Sequence, residues 1–243
     1  MADCVSGVPA AHALGAAMGE LARALQHEHA SEHATLDAVT AAAVGAVPGA
    51  EHASISLVVR GKTVESRAAT DPLAERMDAR QTELGQGPCL DAVWEQESVH
   101  IPDMAAESRW PRFTAAAVEA GIGAMLCFQL FVADAKLGAL NLYASRAGAF
   151  DAEARFTGLM FATHAAVAIT GARQEETLSA ALAHRDVIGQ AKGIVMERFH
   201  LDAPRAFALL TRLSQTENIK LRDIATQLVA DIADSPAAPP DGG

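Results

Sequence analysis

Between Arg185 and Val229, cations recur at helical spacing among small and apolar residues. At about 100° per residue, Arg185, Gly189, Lys192 and Met196 fall on one narrow stripe, with Arg185 and Lys192 two turns apart. Arg205 and Arg212 are also seven apart, and Lys220 with Arg222 opens a further apolar-periodic run. A single such pair is ordinary solvated surface, but several on converging faces would form a basic rim able to meet phosphates. Gly189 and Gly193 sit inside this helical pattern at a cost of ~1 kcal/mol each relative to alanine. Something is therefore expected to approach the backbone there: a neighbouring helix at Gly193, and either a helix or a nucleic-acid backbone at Gly189.

Other reactive side chains are sparser. Three cysteines, Cys4, Cys89 and Cys127, stand at irregular spacing and make no disulfide framework. Cys89 and Cys127 could form a redox pair or pack as small buried hydrophobes. His29 and His33 have the i, i+4 spacing of helical metal ligands, but no cysteine or second cluster accompanies them. A solvated helix face or loop is expected at His27, His29 and His33, with no metal site.

The elements that must position these groups are bounded by composition. The 243 residues suffice for two modest domains; half are hydrophobic and 5% aromatic, which suits helices and mixed α/β layers. No apolar run reaches the ~20 residues of a membrane span, and no basic region precedes the first small apolar residues. A cytoplasmic chain with reduced thiols is expected. The net charge of −11 argues against a general nucleic-acid binder. Residues 178–234, however, carry seven Lys/Arg and seven Asp/Glu, so the excess acid lies almost wholly upstream.

Leu14, Met18, Leu21 and Leu25 form a helical stripe that could pair with another helix. An Ala-rich helix over 35–47 stops at Pro48-Gly49. Strands are expected over Ala53–Arg60 and Lys62–Ala69 as a hairpin, then at Ser98–Ile101, Gly123–Val132 and Lys136–Ala144. Short helices are expected over 72–80, 89–96 and 113–120, with a loop over 103–111. A long helix is expected after Asp151, continuing past Leu178, with the first helix of the following pattern running to about Phe199. Asp202 is placed to cap a second helix, with Pro204 in its first turn and Ala206, Phe207, Leu210 and Leu213 inward. Asn218 is placed to cap a third, whose apolar set is Leu221, Ile224, Ala225, Leu228 and Ile232.

This order is an α+β pattern with a largely antiparallel sheet, followed by an all-α three-helix bundle. Residues 36–172 resemble a GAF domain, a small-molecule sensor fold, through GPCL at 87–90, SRWPRF at 108–113 and LGALNLYA at 137–144. Residues 178–230 resemble an ANTAR domain, the RNA-binding module of bacterial transcription antiterminators. Arg185-Asp186-Val187-Ile188, Gln190 through Arg198, Ala206-Phe207 with Leu210 and Arg212, and Lys220 through Ala225 carry that likeness. The expected division is an N-terminal helical segment at 1–34, a GAF sensor at 35–172, an ANTAR module at 173–234 and a disordered tail at 235–243.

The GAF resemblance implies a pocket between sheet and middle helices, with Cys89, Trp94, Trp110, Phe113, Cys127 and Phe128 as lining candidates or core. It names no cofactor, and leaves a ligand, a redox change or a partner protein as the input. Some GAF proteins are methionine-sulfoxide reductases, a role the two thiols keep in view beside the expectation of no enzymatic activity. The ANTAR resemblance implies a transcription antitermination regulator binding paired stem-loops in leader RNA. Arg185, Lys192, Arg198, Arg212 and Lys220 would meet phosphates, and Gln190 could read a base edge. Gly193, Ile194, Phe207 and Ala225 are among the positions expected to be structural. Two stem-loops imply two modules, hence a homodimer, with the Leu14–Leu25 stripe and the helix into Leu178 as contacts. The alternative from residues alone is a DNA-binding helix-turn-helix regulator with a sensor, since three helices also build that motif.

Overall fold

The computed structural model describes residues 31–59, 63–95, 97–133 and 135–233, together with Gly15 and Gly19. The Leu14–Leu25 stripe, Cys4, His27, His29 and the tail at 235–243 lie outside the described residues. Two compact units divide the chain, Met1–Gln174 and Glu175–Gly243.

In the first unit, β1 (His52–Val59), β2 (Thr63–Ala69), β3 (Ser98–Ile101), β4 (Ala124–Val132) and β5 (Ala135–Ala144) form one antiparallel sheet in the order β2-β1-β5-β4-β3. Alternation along each strand sends side chains to opposite faces. Ile55, Leu57, Leu126, Phe128, Leu130, Leu140 and Leu142 join one buried layer, packed with α1 (Glu32–Ala46) and α5 (Ala152–Phe199). Met125, Cys127, Ala139 and Tyr143 join the other, under α2 (Pro72–Leu84), α3 (Pro88–Trp94) and α4 (Pro111–Glu119).

Caps fix where these helices begin. Ser31 starts α1 by accepting from the Ala34 N–H, and Asp71 starts α2 by accepting from the Leu73 N–H, with Pro72 in the first turn. Asp151 accepts from the Ala154 N–H at the head of α5. The second helix runs four residues beyond its expected end at 80, because the stop is Gly85, in the left-handed region at φ 63°. A β-carbon on Gly158 would lie 2.5 Å from the Phe128 ring, so glycine there lets α5 settle on the sheet.

The second unit packs the end of α5 with α6 (Ala203–Glu217) and α7 (Leu221–Ala233). Its core is small: Ala191 and Val195 from α5, Ala206 and Leu210 from α6, Ile224 and Ala225 from α7. Asp202 caps α6 and Pro204 lies in its first turn. Asn218 has a different role from the expected one. It closes α6 in the left-handed conformation at φ 53°, with the Ile219 N–H bonding back to the Ser214 carbonyl. His200 closes α5 in the same way, with the Leu201 N–H on the Met196 carbonyl. Phe207 and Leu213 also depart from expectation, being 46% and 45% exposed, and Ile232 is 40% exposed. Ala206 and Leu210 alone fill the inner face of α6, so these larger neighbours turn outward.

Candidate functional site

The layer beneath α2, α3 and α4 contains a polar island. Ser54 and Ser56 on β1 stand beside Asn141 and Tyr143 on β5, with Ser54 directly opposite Asn141. All four point to the same face because each pair is two residues apart. Asp78 comes down onto them from α2. Its carboxylate accepts from Ser56 Oγ at 3.0 Å, Ser66 Oγ at 2.8 Å, Asn141 Nδ2 at 3.0 Å and Tyr143 Oη at 2.5 Å. One turn on, Gln81 Oε1 accepts from the Cys89 N–H at 2.7 Å, and Asn141 Nδ2 also reaches Cys89 Sγ at 3.4 Å. Asn141 Oδ1 and Gln81 Nε2 are buried without a partner, an acceptor and a donor left unmatched in the same layer.

Burial governs the titration here. It pushes the Asp78 carboxyl above its ordinary range, against the pull of Tyr143 and the serines. It also pushes the Cys89 thiol up to about 12, with the Asp78 charge adding to the effect, and raises Cys127 and Tyr143 well above their usual values. Both thiols are free and buried. A thiol held protonated is a poor nucleophile, and both thiols pack among the apolar side chains of this layer.

The six expected pocket residues separate. Cys89, Trp110, Phe113 and Cys127 belong to this layer. Phe128 does not: adjacent residues on a strand face opposite ways, and its ring lies in the layer against α5. Trp110 donates from Nε1 to Asp91 Oδ2 at 3.0 Å and carries the Arg109 guanidinium 4.3 Å over its ring. Trp94 is 39% exposed and lines a separate cavity of about 400 Å³ with Leu90, Asp91, Glu95 and Thr82. Lys136 covers that indole, Nζ 5.8 Å from its centroid, and donates to the Trp94 carbonyl at 2.7 Å. Asp78, Gln81, Asn141 and Tyr143 escaped the sequence reading, although the polar pairs at i, i+2 on two apolar strands were a usable signal. Among the described residues no cluster suited to a metal ion occurs, and His33 pairs with Asp37 at 3.5 Å.

In the second unit, Arg185, Gln190, Arg198, Arg212 and Lys220 are exposed and Lys192 is half-buried. Two of its cations are neutralised: Arg205 faces Asp202 at 3.8 Å and Arg222 faces Asp223 at 2.9 Å. Among the described residues, Arg185, Lys192, Arg198, Arg212 and Lys220 form no ion pair. Arg222 Nη1 lies 3.4 Å from His184 Nε2, which sets the start of α7, with Lys220, beside the Arg185 turn of α5. Arg198 is turned about 120° around α5 from Lys192, Gln190 about 140° from Arg185, and Arg212 is on α6, so these three stand on other faces. Nothing comes within 4 Å of a β-carbon built on Gly189 or Gly193. Among the described residues no neighbouring helix meets Gly193, and both glycines bare the α5 backbone next to Arg185 and Lys192.

The GAF domain family matches residues 29–170 and the ANTAR domain family matches residues 176–229. No protein of curated function matches the chain. Free methionine-R-sulfoxide reductase from Neisseria meningitidis, in complex with its substrate, is 17% identical, covering 72% of this chain and 96% of its own, with TM-score 0.55. The GAF domain of a phosphoenolpyruvate-protein phosphotransferase from Coxiella burnetii is 16% identical, covering 71% and 99%, with TM-score 0.54. The phytochrome photosensory core module of Stigmatella aurantiaca is 14% identical, covering 88% of this chain and 46% of its own, with TM-score 0.60. At these identities the likeness is one of fold. The chain belongs to the GAF family, its sensor-type domain followed by an ANTAR domain of the RNA-binding antitermination class.

Proposed function

We propose that the chain is a sensor-coupled transcription antiterminator that binds paired stem-loops in leader RNA and keeps a terminator hairpin from forming. The supporting observation is the set of cations on the bundle with no carboxylate partner among the described residues, Arg185, Lys192, Arg198, Arg212 and Lys220, while Arg205 and Arg222 are paired. In a charge-balanced module, unpaired cations beside a bare stretch of helix backbone suit a phosphate chain passing close. Arg185, Lys192 and Lys220 are the principal phosphate contacts, with Arg198, Arg212 and Gln190 reaching RNA from other faces. The GAF half receives the signal as a small ligand or a protein partner. The raised Cys89 and Cys127 thiols favour packing over turnover of an oxidised substrate.

A DNA-reading α7 is disfavoured by its own bonding. Arg222 is held by Asp223 and His184, and Thr226 Oγ1 donates back to the Arg222 carbonyl at 2.9 Å. That leaves few free polar groups for a major groove.

The test is a binding titration with an RNA carrying two hairpins, the same RNA cut to one hairpin, and duplex DNA. The two-hairpin RNA is expected to bind tightest, Lys192→Ala to weaken it by about tenfold, roughly one charge-assisted contact, and added salt to lower affinity. Equal affinity for duplex DNA would overturn the reading.

A further inference from the structure

The cation stripe on the last turns of α5 does not stop at Met196. Arg185, Gly189, Lys192, Met196 and Phe199 follow one another at intervals of four, three, four and three. At about 100° per residue, all five stay within about 80° of one another. Arg185, Lys192 and Phe199 are the closest set, drifting about 20° from one to the next and standing roughly 10 Å apart along the axis. The acids of this stretch lie elsewhere: Asp186 and Glu197 are turned about 120° and about 140° from Lys192.

Phe199 does not behave as a core residue. Met196 and Leu201, on either side of it in sequence, are partly buried against the bundle core, whereas Phe199 is 57% exposed. Its position is nonetheless fixed. The helix closes one residue later, with His200 in the left-handed region at φ 49° and the Leu201 N–H donating to the Met196 carbonyl at 3.1 Å. The Cα–Cβ bond of a helical residue tilts toward the helix N-terminus, so Phe199 leans back along the stripe toward Lys192.

Cations and an exposed aromatic ring in one line suit a nucleic-acid strand with unpaired bases: the cations track phosphates and the ring takes a base on its face. A paired stem has no use for the ring. In A-form RNA the bases are stacked on one another and the major groove is too deep and narrow for a side chain, whereas loop bases can splay out onto an aromatic. Building on the antiterminator reading, on which this depends, we infer that Phe199 stacks against an unpaired base of a hairpin loop. The hairpin then lies along α5 with its loop at the Phe199 end and its stem phosphates on Lys192 and Arg185. Gly189 stands open between those two cations, which lets the phosphate chain come close to the helix.

The full chain is titrated with the two-hairpin RNA, intact and with one loop position at a time made abasic in both hairpins. Phe199→Leu, which keeps an apolar side chain but removes the ring, is expected to weaken binding about tenfold, the size of one base–aromatic stack. Phe199→Tyr is expected to restore most of that loss, and the thermal melt of Phe199→Leu to match wild type. Against one abasic loop position Phe199→Leu should cost nothing further, because both changes remove the same contact. Lys192→Ala should reduce the salt dependence of binding by about one phosphate, while Phe199→Leu leaves that slope as it is. Four outcomes overturn the inference with RNA binding intact: wild-type affinity in Phe199→Leu, equal losses in Phe199→Leu and Phe199→Tyr, losses that add at every loop position, or a lowered melt that marks Phe199 as a core residue. A wild-type chain that binds duplex DNA as well as the two-hairpin RNA contradicts the proposed function itself, and the stacking contact falls with it.

Discussion

Asp78 shows what a single residue contributes to the sensor half. Four donors converge on a carboxylate with no cation beside it, and they tie α2 to strands β1, β2 and β5. Burial holds its pKa above the ordinary carboxylate range, so between the unfolded-state and folded-state values the native chain binds this proton more tightly than the unfolded chain does. The contribution to stability is therefore complete below about pH 4 and declines as pH rises through the folded-state value. Thermal melts across this range should show that decline in the wild type and a flatter profile in Asp78→Asn. An identical profile in the two would contradict the account. In the sequence, Asp78 looks like any acid on a polar helix, because nothing local says that strands lie against it. Ser54, Ser56, Asn141 and Tyr143 were more legible, as polar residues alternating with apolar ones. Cys127 and Phe128, adjacent on β4, face opposite layers, as strand alternation requires.

Elements were read best where one local rule decides. Asp202 with Pro204 can only begin a helix, and it does. Asn218 was ambiguous because asparagine suits both ends: its side chain caps an N-terminus, and its backbone tolerates the left-handed turn after a C-terminus. The bond from the Ile219 N–H to the Ser214 carbonyl settles it as a stop. Phe207 and Leu213 were misplaced because periodicity marks a broad apolar face, whereas the small bundle core admits only Ala206 and Leu210 from α6. The glycines of α5 give a prediction at this scale. With open space around both, Gly189→Ala and Gly193→Ala should each stabilise the helix by about 1 kcal/mol, raising the melting temperature by several degrees. RNA affinity should fall in the same variants, because a methyl group would stand where the nucleic-acid backbone passes. Destabilisation on replacing either glycine would contradict the open surface.

For the whole molecule, the order of elements and the two family matches were foreshadowed by sequence, since alternating strands and 3.6-residue periodicity survive without long-range information. The charge distribution was also legible: an acidic first half and a balanced second half, with a total of −11 that conceals the cations of the bundle. Among the described residues no helix is long and apolar enough to cross a membrane. The two domains together imply sensor-coupled antitermination regulation. Transcription in vitro through a leader whose paired hairpins overlap a terminator tests that most directly. Added protein should increase read-through in proportion to occupancy, and Lys192→Ala should not; termination unaffected by the wild-type chain, on an RNA it demonstrably binds, would contradict the account.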